Sequence, residues 1–190
     1  MGKVVVSFTM SLDGFIAGPN ISHEDAMGEG GERLHQWLFD GSSEVDREMA
    51  REMSANVGAV ILGRRTFDLG LQHWEDTPHP APSFVLTHEK REPLTMKSAA
   101  FTFVNNGVES AVQQAKAAAG NKDIVVMGAN VAQQLLKAQL VDDIVLQLAP
   151  VLFGQGTRLF ENIGNQNIEL KNTKTRTSPL VTHLRYEVLW

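Results

Sequence analysis

The chain has no cysteine among its 190 residues. That excludes a disulfide framework, a thiol nucleophile, an iron–sulfur cluster and a thiolate zinc site. It fits a reducing compartment. A basic excess is missing too: 17 Lys and Arg face 22 Asp and Glu, a net charge of −5. Nucleic-acid binders carry a basic surplus or a dense basic stripe, so no nucleic-acid partner is expected. No apolar run approaches the roughly 20 residues that cross a bilayer, and the opening Val4–Phe8 run is too short for a signal-peptide core. No membrane partner is expected, and the expected location is cytoplasmic. The six histidines show no HExxH or other metal-binding spacing, so no metal site is expected. Internal repeats, low-complexity tracts and convincing linkers are also lacking. The composition, 43% hydrophobic and 21% charged, is that of an ordinary globular chain. Length alone favours one domain over residues 1–190.

What the chain does contain is an alternation of short apolar runs and helical periods. Val4–Phe8 is a β-branched run that reads as a buried strand. A Gly- and Pro-bearing loop then runs from Ser11 to about Gly31; a loop of that length inside a domain is often functional. Helices are predicted over Glu32–Phe39, from Leu34, Trp37 and Leu38, and over Ser43–Ala55. The second opens with a capping-box-like Ser43/Asp46 pair and lines one face with Val45, Met49 and Met53. Gly58–Leu62 is wholly apolar, which suits a strand covered on both faces. Strands follow at Ser83–Thr87 and Phe101–Val104, a helix at Val108–Ala119 ended by Gly120, and a strand at Asp123–Met127. A helix over about Asn130–Gln139 and a strand over Asp143–Ala149 come next. Ile168–Thr177 and Val181–Leu189 form an antiparallel pair about a Ser178-Pro179 turn. This order predicts an α/β fold with a mostly parallel sheet between helices and an antiparallel C-terminal edge.

Ligands of open α/β sheets bind beyond the carboxyl ends of the strands. At one such end, Gly63 allows close approach of a ligand, Arg64 or Arg65 supplies a bidentate fork and Thr66 a hydroxyl, at the start of a helix. At another, Gly128, Ala129 and Asn130 open a helix where a pyrophosphate fits. At a third, Thr87-His88-Glu89-Lys90-Arg91 offers cations to the 2′-phosphate that separates NADP from NAD. Each segment alone is common structural furniture; the three together favour a phosphorylated dinucleotide. The usual glycine fingerprint is missing, since Gly28-Glu29-Gly30 has Arg33, and Gly154-Gln155-Gly156 has Leu159, where a third glycine belongs. No Walker A sequence occurs.

Ser11-Leu12-Asp13-Gly14, Gly63-Arg64-Arg65-Thr66, Val85-Leu86-Thr87 and Met127-Gly128-Ala129 resemble the dihydrofolate-reductase-like superfamily. Pro150-Val151-Leu152-Phe153-Gly154-Gln155-Gly156-Thr157-Arg158-Leu159-Phe160 resembles, more narrowly, the RibD C-terminal family of riboflavin-synthesis reductases. The resemblance covers nearly the whole chain and implies a dihydrofolate-reductase-like three-layer α/β/α sandwich that binds NADPH. It implies that Gly63, Arg64, Arg65 and Thr66 hold the adenosine-side phosphates, and that Thr87 and His88 lie near the adenine ribose. Gly128, Ala129, Asn130 and Val131 would cradle the pyrophosphate, with Ile16 and Ala17 flanking the nicotinamide. It also implies a homodimer and a small-molecule substrate.

The implied activity is reduction of a small heterocyclic or ribosylaminopyrimidine-type compound, as by 5-amino-6-(5-phosphoribosylamino)uracil reductase. Two alternatives stand beside it: a dihydrofolate or pteridine reductase, and a non-catalytic nucleotide-binding module on the same fold. The folate alternative meets an obstacle, because aligning on Trp37 puts Leu34 where the folate enzyme has its pterin-binding carboxylate. Asp13, in the early loop near the expected nicotinamide, is the candidate catalytic residue; as a turn residue before Gly14 it has an equally good structural explanation. Trp37 is expected in the core and Trp74 as an exposed stacking aromatic.

Overall fold

Val4–Ser11 (β1) alternates its side chains across the sheet. Val4, Val6 and Met10 enter one apolar layer, while Ser7 and Thr9 face the other side. The computed structural model describes residues 2–40 and 43–190. Further strands are Phe15–Ala17 (β2), Val57–Gly63 (β3), Ser83–Leu86 (β4), Leu94–Thr95 (β5), Ala100–Val104 (β6) and Asp123–Met127 (β7). They continue with Asp143–Ala149 (β8), Thr157–Arg158 (β9), Glu169–Thr177 (β10) and Thr182–Leu189 (β11). The helices are Gln36–Phe39 (α1), Glu44–Ala55 (α2), Arg64–Gly70 (α3), Val108–Ala119 (α4) and Ala129–Lys137 (α5).

Nine strands form one sheet in the order β10-β11-β8-β1-β7-β3-β4-β6-β5. The six from β8 to β6 are parallel; β11 and β10 complete one edge antiparallel, and β5 the other. The short β5 edge was not legible in the sequence. The fold is the dihydrofolate-reductase-like α/β/α sandwich. Helices α4 and α5 cover one face through Ala111, Val112, Ala115, Val131 and Leu135. On the other face Phe67 of α3 packs with Val60, Leu62, Val85 and Phe101, while Leu34 and Trp37 pack with Ala149 and Val181. The doubly covered β3 explains its unbroken apolar run: Ala59 and Ile61 serve one layer, Val60 and Leu62 the other.

Two predicted helices differ in detail. Glu32–Phe39 is a 3-10 turn over Gly31–His35 followed by the single turn of α1; Trp37 is buried but Leu38 is exposed. At α2 the Ser43 hydroxyl accepts the Asp46 N–H at 3.4 Å, as the capping pattern implied. The Asp46 side chain does not complete the box. It is buried and bonds His183 Nε2 of β11 at 2.7 Å, tying α2 to the sheet.

Candidate functional site

The strand order reverses beside β1, with β7 and β8 on its two flanks and β3 beyond β7. This is the switch point at which open α/β sheets leave a crevice. A cleft of about 1450 Å³ opens there. Its floor is built from Ser7 and Thr9 of β1, Val125–Met127 of β7 and Gln147 of β8. Gly63, Leu86 and Gly128 stand at strand ends around it.

The two glycine turns meet across this cleft. Gly128 has φ +97°, and a Cβ there would lie 2.7 Å from Thr66 Oγ1. Any side chain at 128 would therefore fill the space between the two helix starts. Small residues at 128 and 129 leave the N-terminus of α5 open, where free N–H groups and the helix dipole suit a diphosphate. Arg65 is exposed, with no ion pair among the described residues, and stands on the same wall. The cradle fits a dinucleotide phosphate.

All twelve residues expected to bind the cofactor line this one cleft: Ile16, Ala17, Gly63, Arg64, Arg65, Thr66, Thr87, His88, Gly128, Ala129, Asn130 and Val131. The third segment differs in its charges. Arg64 Nε donates to both Asp68 carboxylate oxygens at 2.9 Å, and its Nη1 donates to Glu89 Oε2 at 2.7 Å. These partners, Glu89 foremost, push the guanidinium pKa up. Arg91 does not reach the cleft; its guanidinium sits 4.5 Å above the Phe103 ring. Lys90 is also off the wall. The third segment thus brings neither Lys90 nor Arg91 to the cleft, whose arginines are Arg64 and Arg65 of the first segment, with Asp68 and Glu89 beside them.

Asp13 is not on the cleft wall, and its carboxylate has structural partners. Ser11 Oγ donates to it at 2.6 Å, the Phe153 N–H at 3.0 Å and the Gly154 N–H at 2.7 Å. The Ser11 hydroxyl first, then these amides, hold its pKa at about 2, well below 3.8. Off the cleft wall and with its carboxylate taken up by these three donors, Asp13 serves as a clasp in place of the catalytic role expected from sequence. The clasp joins the early loop to the loop after β8. Leu12 N–H donates to Val151 O, Leu159 N–H to Gly14 O, and β2 pairs with β9. Gly156, at φ +134°, lets its backbone lie against the Ala17 carbonyl, where any side chain would collide. Ile16 and Ala17 are thereby carried to the cleft by contacts more than a hundred residues distant in sequence. The early loop is not structureless: Gly18 N–H donates to Met27 O and Glu29 N–H to Pro19 O.

The opposite wall was anticipated only in part, through Trp74 as a stacking aromatic. Trp37 and Met53, read as core, both line the cleft, with Leu38 and Phe39 at its mouth. Trp37 Nε1 is committed to Thr9 Oγ1 at 3.0 Å. Trp74 also lines the cleft, but half-buried and stacked on Phe101 at 6.1 Å rather than free. Gln147, Ser7 and His35 carry buried polar atoms without a partner: both Gln147 amide atoms, Ser7 Oγ and His35 Nδ1. Gln147 did leave a signal, as the one polar residue inside the Ile144–Ala149 run. His35 and His79 line the same cavity, and burial pushes both pKa values down.

Comparison with known proteins matches residues 2–184 to the RibD C-terminal domain family. The chain belongs to that family. Within the RibD C-terminal domain family, it is 26% identical over 174 residues to YwjB of Bacillus subtilis (strain 168), described as uncharacterized; this spans 90% of the chain and 91% of YwjB. A protein of Shewanella sp. PV-4 assigned by name to riboflavin biosynthesis superposes with TM-score 0.75, at 22% identity and 99% coverage of both chains. The Thermotoga maritima deaminase/5-amino-6-(5-phosphoribosylamino)uracil reductase superposes at 0.64 and 15% identity, over 98% of this chain and 56% of its own. Dihydrofolate reductase from Enterococcus faecalis, complexed with NADP(H), superposes at 0.59 and 19% identity, over 98% and 95%. These structural likenesses concern the fold.

Proposed function

We propose that the protein is an NADPH-dependent reductase of a small heterocyclic or ribosylaminopyrimidine-type substrate. One observation carries this reading: four separated chain segments, picked out from sequence for phosphate, ribose and nicotinamide contacts, line a single cleft. The reductases and the NADP(H)-bound enzyme among the structural neighbours support it.

When bound, the nicotinamide supplies the hydride. The chain's own residues position the reactants and exclude water. Gly128, Ala129 and Asn130 present the α5 N-terminus to the pyrophosphate, and Arg65 adds a cation. Thr87, His88 and Arg64 border the adenine ribose. Ile16 and Ala17, fixed by the Asp13 clasp, border the nicotinamide, so that its reducing face meets the Trp37 wall. A homodimeric, cytoplasmic enzyme belongs to the same reading, and sedimentation velocity checks the dimer.

The test is quenching of tryptophan fluorescence by NADPH and NADH, with Arg65→Ala as control. Saturable NADPH binding at roughly tens of micromolar, weakened in the variant, is expected. Its absence removes the enzyme reading and leaves a module without this ligand. Oxidation of NADPH is then followed with candidate substrates; ordinary turnover of dihydrofolate overturns the argument from Leu34.

A further inference from the structure

The cleft has little charge to spare. Among the described residues, its arginines and lysines number two, Arg64 and Arg65, and Asp68 and Glu89 stand on the same wall. Arg64 is held by both carboxylates. NADPH brings a diphosphate and a third phosphoryl group to this end, which claims both arginines. No arginine or lysine of the lining then remains for a phosphate carried by a second ligand. A buried, unpaired phosphoester dianion is strongly disfavoured.

The other half of the cleft has the opposite character. Trp37, Phe39, Trp74, Met27 and Met53 give it aromatic and thioether surface, which suits a flat ring. Its unmet hydrogen-bonding capacity is uncharged: Ser7 Oγ, the Gln147 amide and His35 Nδ1 are buried without partners. Burial pushes the pKa values of His35 and His79 down, which disfavours their cationic forms. An amide offers a donor and an acceptor side by side and complements a neutral ring with the same pair, not an anion.

Resting on the nicotinamide reading above, we propose that the substrate is an uncharged, planar heterocycle without a phosphoester. Recognition comes from the Trp37–Met53 wall and from neutral hydrogen bonds of Gln147 and Ser7. The substrate is therefore supplied by a reaction that removes the phosphate, or by one that never adds it. This separates the chain from a reductase of the phosphoribosyl compound itself.

The experiment uses the full chain saturated with NADPH, whose binding is measured first; its failure removes the nicotinamide reading rather than this one. Three probes are then compared by NADPH oxidation and by tryptophan quenching: 5-amino-6-(5-phosphoribosylamino)uracil, its dephosphorylated counterpart and 6-methyl-7,8-dihydropterin. One or both uncharged probes are expected to act, with the phosphoester weaker in kcat/KM by about tenfold or more, as for a dianion lacking one countercharge. The preferred uncharged probe is expected to be indifferent to ionic strength. A second arm places a cation at the exposed mouth. Phe39 is 82% exposed, so Phe39→Lys leaves the fold intact and is expected to raise use of the phosphoester relative to the uncharged probes. Equal or better use of the phosphoester by the unaltered protein overturns the proposal. So does NADPH binding with no response to either uncharged probe, or a Phe39→Lys variant that gains nothing.

Discussion

Arg64 and Glu89 are joined by an ion pair of 2.7 Å at the edge of the cleft, where the sequence suggested that Lys90 and Arg91 would supply cations. Asp68 completes the arrangement one helical turn along α3. Both partners are solvent-exposed, so the pair adds little to stability. Its consequence lies in ligand choice, because Glu89 competes with an incoming 2′-phosphate for the same guanidinium. Glu89→Gln is expected to tighten NADPH binding by about tenfold, the effect of one charge on a dianion across a wet gap. NADH affinity is expected to stay unchanged. Titration of both cofactors by tryptophan quenching checks this; equal changes for the two would place Glu89 outside the ribose site.

Asp13 gives a pH signature. Its folded-state carboxyl is held at about 2, against 3.8 unperturbed. A depressed acid contributes stability that is complete above its unfolded value and is lost as the pH falls through the folded one. The difference in melting temperature between the unaltered protein and Asp13→Asn is expected to be constant down to about pH 5 and to shrink from about pH 4 to pH 2. Because Asp13 acts by holding the Ile16–Ala17 loop, the variant is expected to raise the KM for NADPH several-fold while the pH profile of kcat keeps its shape. A profile that loses the limb on which the rate falls with rising pH would restore Asp13 as a proton donor.

Gln147 is buried with neither amide atom bonded. Such orphan groups cost about 1–3 kcal/mol. Gln147→Leu is expected to stabilise the fold by about 1 kcal/mol and raise Tm by about 2–4 °C, while weakening substrate binding and sparing NADPH binding. Urea denaturation and the same fluorescence titrations read the two effects separately. A fall in Tm would mean that the amide serves the fold.

The buried Asp46–His183 pair behaves in the opposite way. Asp46→Ala removes the 2.7 Å bond, and His183 Nδ1 already has no partner. The imidazole would then be buried with both ring nitrogens unpaired. A loss of about 3 kcal/mol is expected, measured as a lower urea midpoint at unchanged m-value. A loss under about 1 kcal/mol would show that water satisfies the ring.

Local pattern was enough for most elements, because apolar period and turn residues act over a few positions. The α4 stripe of Val108, Ala111, Val112 and Ala115, the doubly apolar β3 run and the Ser178-Pro179 turn each carry their own instruction. Glycine turns at 63 and 128, followed by helices, were legible for the same reason. The short β5 edge lacked such a pattern, and α1 was overestimated because one turn of helical spacing does not fix a helix.

The tertiary structure decided what side chains do once distant segments meet. From sequence, Asp13 is a turn residue or an acid; only the arrival of Phe153 and Gly154 makes it a clasp between two loops. Glu89 and Arg91 are near neighbours in the chain, but packing places Arg91 over Phe103 and sets Glu89 on Arg64, 25 residues away. Met53 follows a core stripe and packs against the Leu34–Trp37 cluster, yet also lines the cleft. Periodicity determines which face a residue shows. Charge pairing, desolvation and access depend on neighbours that periodicity does not name, and those neighbours are chosen by the strand order of the sheet.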